Sequence, residues 1–243
     1  MSDMEYMRRA GKLAAQTLDH VQAFIKPGIT TEMLDDICHE FIVIHDAIPA
    51  PLNYKGFPKS ICTSVNHVAC HGIPGPKKLN DGDIINVDVT VILDGWHGDT
   101  SRMFYVGKPK IKAKRLIEAT YEAMMAGIEI IKPGATTGDI GHAIEQVANK
   151  NKLGIARSYC GHGIGKIFHD EPQVPFYGNL GEGTVLKEGM FITVEPILNL
   201  GKDDTKVLDD NWTVVTRDRS LSAQWEHTVA VIEDGYEILT LSE

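Results

Sequence analysis

Two aspartates on either side of an Asp-Gly dipeptide have the residue type and spacing of a metal site. Asp88 and Asp99 lie in apolar, β-branched runs that flank Asp94-Gly95. Asp-Gly between two such runs is typical of a two-residue β-hairpin turn. This turn predicts that Thr90 pairs with Asp99, so that Asp88 and Asp99 are diagonal neighbours on one face, about 7–8 Å apart at the backbone. Two carboxylates at that separation repel each other unless a cation lies between them.

For this hairpin alone, the alternative is that both aspartates are solvated on its outer face. An internal repeat argues against that alternative. Residues 132–137 (KPGATT) restate residues 26–31 (KPGITT), and a helix is predicted after both segments. A second, longer candidate hairpin carries Glu195 and Glu226 at the places of the two aspartates. Four solvated acids would have no reason to fall at matching positions of a repeat, so we expect the four carboxylates to converge.

Four carboxylates in one pocket require cations, because like charges raise one another's pKa values. His162, in the glycine-rich segment CGHGIG at 160–165, adds an imidazole. Such a segment could instead bind phosphate, but no Lys-Ser/Thr follows it and the acids would repel an anion. Four oxygen donors and an imidazole suit two divalent ions of the Mn, Fe or Co type, with Zn as an alternative.

Two further histidines precede the two candidate hairpins. His71 lies before the first and His169 before the second. A lone histidine is more often structural, but this matched placement favours a role beside the metals, where the imidazoles would polarise or hydrogen-bond a substrate amide. The other histidines carry no such argument and are expected to be structural or surface residues: His20, His39, His45, His67, His97, His142 and His227.

The elements that must position these side chains can be predicted from periodicity. Residues 3–25 have nearly helical apolar spacing, and Lys26-Pro27-Gly28 ends that helix. Thr30-Thr31 caps a second helix that runs to about His45, and residues 111–131 form another. We expect one catalytic domain, residues 1–243, with pseudo-repeat halves of roughly 1–108 and 109–243 packed about a pseudo-two-fold axis.

Composition excludes several classes of partner. The net charge of −9 argues against DNA or an anionic membrane surface as the main partner. No apolar run approaches the ~20 residues of a membrane span. The first residues of the sequence contain neither an apolar h-region nor a cleavage site, so we expect no export, and the four cysteines show no CxxC spacing. These features predict a cytoplasmic protein with reduced thiols.

The chain resembles the type I methionine aminopeptidases over essentially all 243 residues. The likeness is carried by SICTSVNHVACHGIP, INVDVTVILDGWHGDTSRMF, CGHGIGKIFHDEP, FITVEPIL and AQWEHTV. It implies the α+β pita-bread fold shared with prolidases, aminopeptidase P and creatinase: two helix-plus-antiparallel-hairpin halves around a central sheet. We expect no extra N-terminal domain and no zinc-finger extension, and His169 and Glu195 are too close in sequence for the long insertion of type II enzymes. These expectations favour a likeness to bacterial or organellar type I enzymes.

The resemblance also implies roles for individual residues. The five metal ligands would be Asp88, Asp99, His162, Glu195 and Glu226. Asp99 and Glu226 would bridge the two ions, and Glu195 would also shuttle a proton. His71 and His169 would contact the scissile amide. The pocket for the methionine side chain would be formed by Tyr54, Phe57, Cys62, Phe168 and Trp212, where many relatives have tyrosine in place of phenylalanine at position 57. A monovalent cation would lie at Asn66, Val68 and Ser222.

The implied reaction is removal of the initiator methionine when the second residue is small, through a metal-bridging water or hydroxide. The implied partner is the N-terminus of a nascent polypeptide and the implied state is a monomer, with ribosome association left open. Two alternatives remain. A small proline dipeptidase would keep the five ligands and change the pocket. A binding protein on the same fold is expected to lose ligands, and no ligand is lost here.

Overall fold

Two pairs of α-helices cover the sheets of the chain. The computed structural model describes all 243 residues. The helices are α1 (Asp3–Gln22), α2 (Thr31–Ile44), α3 (Ile111–Ile128) and α4 (Thr137–Lys150), and a short 3-10 helix spans Tyr54–Gly56. Helix α1 packs against α2, and α3 packs against α4. None of the four helices is long and apolar enough to cross a membrane.

The helix starts follow the capping chemistry that the sequence predicts. The side chain of Thr30 accepts a hydrogen bond from the backbone N–H of Met33 at the start of α2. At the start of α4 the Thr136 side chain accepts a hydrogen bond from the backbone N–H of Asp139, and the Asp139 carboxylate accepts one from the backbone N–H of Thr136. Each cap satisfies a backbone donor that has no partner within the helix. The predicted start of the second helix is therefore confirmed.

Fifteen strands form four sheets. The strands are β1 (Ile48–Pro49), β2 (Cys62–Val65), β3 (Val68–Cys70), β4 (Ile84–Leu93), β5 (Trp96–Tyr105), β6 (Gly154–Ile155), β7 (Cys160–Gly163), β8 (Asp170–Pro175), β9 (Phe191–Val194), β10 (Ile197–Asn199), β11 (Thr205–Val207), β12 (Val214–Thr216), β13 (Ser222–Gln224), β14 (His227–Ile232) and β15 (Gly235–Ile238). Strand β4 pairs with β1, β2 and β5 in one sheet, and the other orders are β13-β10-β6, β11-β12-β3 and β15-β14-β9-β7-β8.

Strands β4 and β5 form the first predicted hairpin. Thr90 lies opposite Asp99 and Asp88 lies opposite Ser101, as the turn position predicts. Asp94 and Gly95 have φ angles of 52° and 82°. Two consecutive residues with positive φ are what the right-handed twist of paired strands requires of a two-residue turn. The predicted hairpin and its register are confirmed.

The second hairpin is built from three short ladders in one continuous register. These are β9 with β14, β10 with β13, and β11 with β12. Val194 faces His227 at the end of the first ladder, and Ile197 faces Gln224 at the start of the second. The ladder is interrupted between these pairs, and Glu195 lies opposite Glu226 in that interruption. The longer connection predicted from the sequence is strands β11 and β12 with the chain between them.

The repeated KPG segments make the same backbone hydrogen bonds. Gly28 donates to the carbonyl of Leu79, and Gly134 donates to the carbonyl of Leu186. The two glycines have φ angles of 93° and 91°, a region that disfavours residues with a Cβ. The likeness of the two segments in sequence is therefore matched by a likeness in local structure.

Strand β4 shows how the core directs the acids. Val87, Val89 and Val91 are fully buried in a core that also contains residues of α1 and α2. Successive side chains of a strand point to opposite faces, so Asp88 and Thr90 point away from that core. Burial of each valine contributes about 1.5–3 kcal/mol, and a slip of one residue would expose all three. The hydrophobic effect thus fixes the direction of the aspartate.

Candidate active site

One cavity of about 400 Å³ contains most of the residues that the sequence predicts for the site. Twelve of them line it: Tyr54, Phe57, Cys62, His71, Asp88, Asp99, His162, Phe168, His169, Glu195, Trp212 and Glu226. Acids and histidines line one part of the cavity wall and aromatic rings another. The three residues predicted for the monovalent cation lie outside its lining.

The two hairpins meet where Asp99 and Glu226 lie. The backbone N–H of Glu226 donates to the carbonyl of Ser101 (3.1 Å) in an isolated bridge between the hairpins. Thr100 Oγ1 donates to the carbonyl of Glu226 (2.7 Å). Thr228 Oγ1 donates to the carbonyl of Asp99 (2.7 Å) and accepts from the Asp99 N–H (3.2 Å). Hydrogen bonds to the backbone of both acids therefore fix their separation.

His162 presents one nitrogen to these acids. Its Nδ1 lies 2.9 Å from the carbonyl oxygen of Gly163, which can only accept, so Nδ1 carries the proton. Its Nε2 lies 3.7 Å from Asp99 Oδ2 and 3.5 Å from Glu195 Oε1. One donor atom each from Asp99, His162 and Glu226 lie within 4.8 Å of one another. Burial lowers the pKa of His162 to about 4, so the ring is neutral at neutral pH and Nε2 has a free lone pair.

The glycines on either side of His162 serve strand packing. A Cβ at Gly161 would collide with the carbonyl oxygen of Thr193, and one at Gly163 would collide with that of Glu171. Strand β7 lies between β8 and β9, so its backbone approaches both neighbours at these positions. The glycine-rich segment therefore holds His162 in a tightly packed sheet and is not a flexible loop.

Three neutral side chains orient the carboxylates, and none of them was predicted from the sequence. Thr90 Oγ1 donates to Asp99 Oδ1 (2.7 Å), and Thr193 Oγ1 donates to Glu195 Oε1 (2.7 Å). Gln224 Nε2 donates to Glu195 Oε2 (3.2 Å). The predicted register could have identified Thr90 because it pairs directly with Asp99. No sequence signal distinguishes Gln224.

The four acids lie in a setting that opposes their ionisation. Burial raises the pKa of Asp99 to about 7, although hydrogen bonds from Thr90 and from the backbone of Thr100 act to lower it. Burial, and then the charge of Asp99, raise the pKa values of Asp88, Glu195 and Glu226 well above the ordinary range.

The same acids lack cationic partners within the chain. No lysine or arginine nitrogen lies within 4.0 Å of them, and His162 is the only basic group that does. The carboxylates of Asp88 and Glu226 accept no hydrogen bond from another residue. Uncompensated carboxylates around a free imidazole nitrogen are a donor set that fits divalent cations.

Two other histidines face the same cavity. His169 Nδ1 lies 2.9 Å from the Tyr54 hydroxyl, and the ring centroid lies 4.3 Å from that of His162. Desolvation, followed by the nearby His162 and Lys55, lowers the pKa of His169 to about 3. His71 has a φ of 53° and makes no side-chain hydrogen bond, and burial lowers its pKa. Both rings are therefore neutral at neutral pH and can form hydrogen bonds with an uncharged group.

Aromatic rings form the apolar end of the cavity. Tyr54 and Phe168 have ring centroids 4.8 Å apart, and Phe57 and Trp212 meet edge to face at 5.1 Å. Cys62 is buried on β2, directly opposite Asp88 on β4. This wall offers aromatic faces, edges and a thiol to an apolar side chain.

His97, expected to be structural, supports this wall. Its Nδ1 lies 2.8 Å from the Gly165 carbonyl oxygen, and its ring stacks on Phe168 at 5.4 Å with an interplanar angle of 17°. The sequence carries no signal for this contact because it joins separate elements.

The residues predicted for the monovalent cation lie on neighbouring strands or turns. The backbone N–H of Ser222 donates to the Asn66 carbonyl oxygen (2.9 Å), and Val68 pairs with Val215 on β12. Ser222 Oγ donates to Asn199 Oδ1 (2.8 Å). The cation site stays a prediction.

Comparison with known proteins adds a family to this geometry. The family model of metallopeptidase family M24 matches residues 5–233. The chain is 62% identical to a methionine aminopeptidase of Rickettsia prowazekii, over 99% of this chain and 93% of that protein. It is 51% identical to the methionine aminopeptidase of Escherichia coli K12, over 98% of this chain and 91% of that protein. The crystal structure of the Rickettsia prowazekii enzyme superposes with a TM-score of 0.98, covering 98% of this chain and 97% of that one. The predicted pita-bread fold is confirmed.

Proposed function

Because the chain belongs to metallopeptidase family M24, among its type I methionine aminopeptidases, we propose that it removes the N-terminal methionine of peptides whose second residue is small. The observation that carries the proposal is the cavity, which joins an acid-and-imidazole cluster to an aromatic wall. We propose further that residues 1–243 act as one catalytic domain with two related halves, on nascent chains in the cytoplasm.

We propose that two divalent ions, of Mn, Fe, Co or Zn, are held by Asp88, Asp99, His162, Glu195 and Glu226. The chemistry of the donor set supports this, because the acids have no other cation and the Nε2 of His162 is free. When bound, such ions lower the pKa of water and polarise a carbonyl group.

The aromatic wall selects the methionine side chain in this proposal. Sulfur makes favourable contacts with aromatic rings, and an unbranched chain fits between Tyr54, Phe168 and the edge pair of Phe57 and Trp212. A hydrophobic pocket gains only about 1–3 kcal/mol per methylene. Leucine is therefore rejected by its branched shape more than by its polarity.

His169, His71 and Glu195 act on the amide and its protons. In this proposal the Tyr54 hydroxyl donates a hydrogen bond to His169 Nδ1, so the His169 proton lies on Nε2. The Nε2–H group then donates a hydrogen bond to the scissile carbonyl oxygen. His71, with no other side-chain hydrogen bond, contacts the same amide. Glu195, oriented by Thr193 and Gln224, takes a proton from the attacking water and delivers it to the leaving amine. The second residue of the substrate must lie between the two imidazoles, which leave room for a small side chain.

Four peptides test the proposal on the metal-loaded protein. We expect release of methionine from Met-Ala-Ser, very slow release from Met-Lys-Ser, and little release of leucine from Leu-Ala-Ser. Acetyl-Met-Ala-Ser should resist cleavage because its blocked amine no longer fits against the acids. Equal turnover of the methionine and leucine peptides, or a preference for X-Pro dipeptides, would assign the chain a different specificity. Binding of the peptides without hydrolysis would indicate a binding protein.

A further inference from the structure

Lys55 is the only lysine or arginine that lines the cavity. The residue is exposed, and its Nζ lies 5.2 Å from the centroid of the Tyr54 ring. No carboxylate lies within 4.0 Å of this nitrogen, whereas the half-buried Lys59 and the exposed Lys150 pair with Glu32 and Glu122. Lys55 is thus an unpaired cation in the lining of a cavity that contains no other lysine or arginine.

The backbone around Lys55 is fixed. Asn53, Lys55 and Gly56 have φ angles of 68°, 47° and 87°. The Asn53 N–H donates to the Phe57 carbonyl (2.8 Å), and the Phe57 N–H donates to the Tyr54 carbonyl (2.9 Å). Residues other than glycine rarely adopt positive φ, so two of them in three positions mark a loop held by its surroundings. This loop carries two residues of the aromatic wall and places Lys55 between them in sequence.

The ammonium of Lys55 lies close to His169, with the Tyr54 ring between them. The centroid of the Tyr54 ring lies 5.2 Å from Lys55 Nζ and 5.2 Å from the centroid of the His169 ring. Water and salt screen charges over about 10 Å, so a negatively charged group held beside His169 would interact with the Lys55 ammonium.

We propose that Lys55 recognises a carboxylate of the substrate beyond the scissile bond. The carboxylate is either an Asp or Glu side chain at the third residue or the free C-terminus of a tripeptide. This inference rests on the proposed function, which places the methionine side chain against Tyr54 and Phe57. A bound peptide must leave the cavity through its open side, and each residue advances it by about 3.3–3.6 Å. Lys55 is the one lysine or arginine in the cavity lining, and its side chain is exposed, so its ammonium can meet the peptide there.

The expected effect is modest because Lys55 is exposed. Ion pairs between exposed groups change an equilibrium by about 1.4- to 5-fold. We expect kcat/KM of the metal-loaded protein for amidated Met-Ala-Glu-Gly to exceed that for amidated Met-Ala-Gln-Gly by that factor. The Glu/Gln ratio should approach one in Lys55→Met and fall below one in Lys55→Glu. Lys12→Met is the matched control, since it removes the same charge from an exposed position on α1 outside the cavity, and should keep the wild-type ratio.

Two further measurements complete the test. Met-Ala-Ser with a free or an amidated C-terminus distinguishes the chain end from the side chain as the source of the carboxylate. In the unmodified protein the Glu/Gln ratio should approach one as salt rises from about 0.01 to 0.5 M, which requires no variant to fold. A wild-type ratio of one on both peptide pairs, or a ratio unchanged in Lys55→Met, would overturn the role of Lys55 alone. Release of methionine from none of the peptides would overturn the proposed function together with it.

Discussion

Replacing Asp99 by asparagine should stabilise the metal-free protein above neutral pH, although it removes a proposed metal ligand. Asp99 is 4% exposed, and burial raises its pKa from 3.8 to about 7. The native state therefore binds more protons than the unfolded state between these values, so the free energy of unfolding falls as the pH rises through that window. The contribution of the Asp99 proton to the free energy of unfolding is therefore complete below pH 3.8 and lost above about pH 7.

The displacement from 3.8 to about 7 corresponds to about 4 kcal/mol of unfolding free energy. Asparagine resembles the protonated acid in shape and stays neutral, and its amide oxygen can still accept the hydrogen bond from Thr90 Oγ1. Asp99→Asn should therefore be more stable than the wild type by up to about 4 kcal/mol at pH 8. For a chain of this length that is about 10 °C in Tm.

The assay is thermal and urea unfolding at pH 5, 6, 7 and 8 in the presence of a chelator, followed by circular dichroism. We expect the wild-type Tm to fall across this range and that of Asp99→Asn to fall less. Asp209→Asn makes the same charge change at an exposed position and serves as the control. A wild-type stability that is flat from pH 5 to 8, or an Asp99→Asn variant that is less stable at pH 8, would refute the reasoning.

Three further predictions concern the metal-loaded protein. Glu226→Gln should lose bound metal and activity together, because an amide is a weak neutral metal ligand. Elemental analysis and a turnover assay on the same preparation measure both. Wild-type metal content together with a wild-type rate would contradict the prediction. His169→Ala should keep its metal while kcat falls by about two or more orders of magnitude, so loss of metal would instead identify a ligand. Tyr54→Phe should lower kcat because it removes the hydroxyl that contacts His169, and it should leave the apolar pocket intact. Stopped-flow assays with Met-Ala-Ser can separate a change in kcat from a change in KM. An unchanged kcat would argue against orientation of His169 by the hydroxyl.

The sequence predicts the hairpin at Asp94-Gly95 because the turn is a local property. Two residues with positive φ set the register of twenty others, and alternation along β4 then directs Asp88. The KPG repeat predicts the second set of acids for a similar reason, since like sequence gives like caps and turns. These features depend on residues that are close in sequence and can therefore be predicted from the sequence.

Contacts between distant segments could not be predicted in this way. Thr100 and Thr228 are ordinary strand residues by type, and only the structure shows that they bond to the backbone of Glu226 and Asp99. The pairing of Gln224 with Glu195 depends on a register that continues across the interruption in the second hairpin. Strands β11 and β12 were expected only as a longer connection, because nothing local marks them as paired strands.

The threonine contacts between the hairpins have a consequence for how the protein could be divided. Thr100 bonds to Glu226 and Thr228 bonds to Asp99, so each half of the chain holds the backbone of the other half's acid. A cut near residue 108 would leave two fragments, each with one carboxylate pair and neither with the junction. Neither fragment should therefore be active alone, and activity should return only when the two fragments reassociate. The dependence of that activity on fragment concentration would measure the strength of the junction.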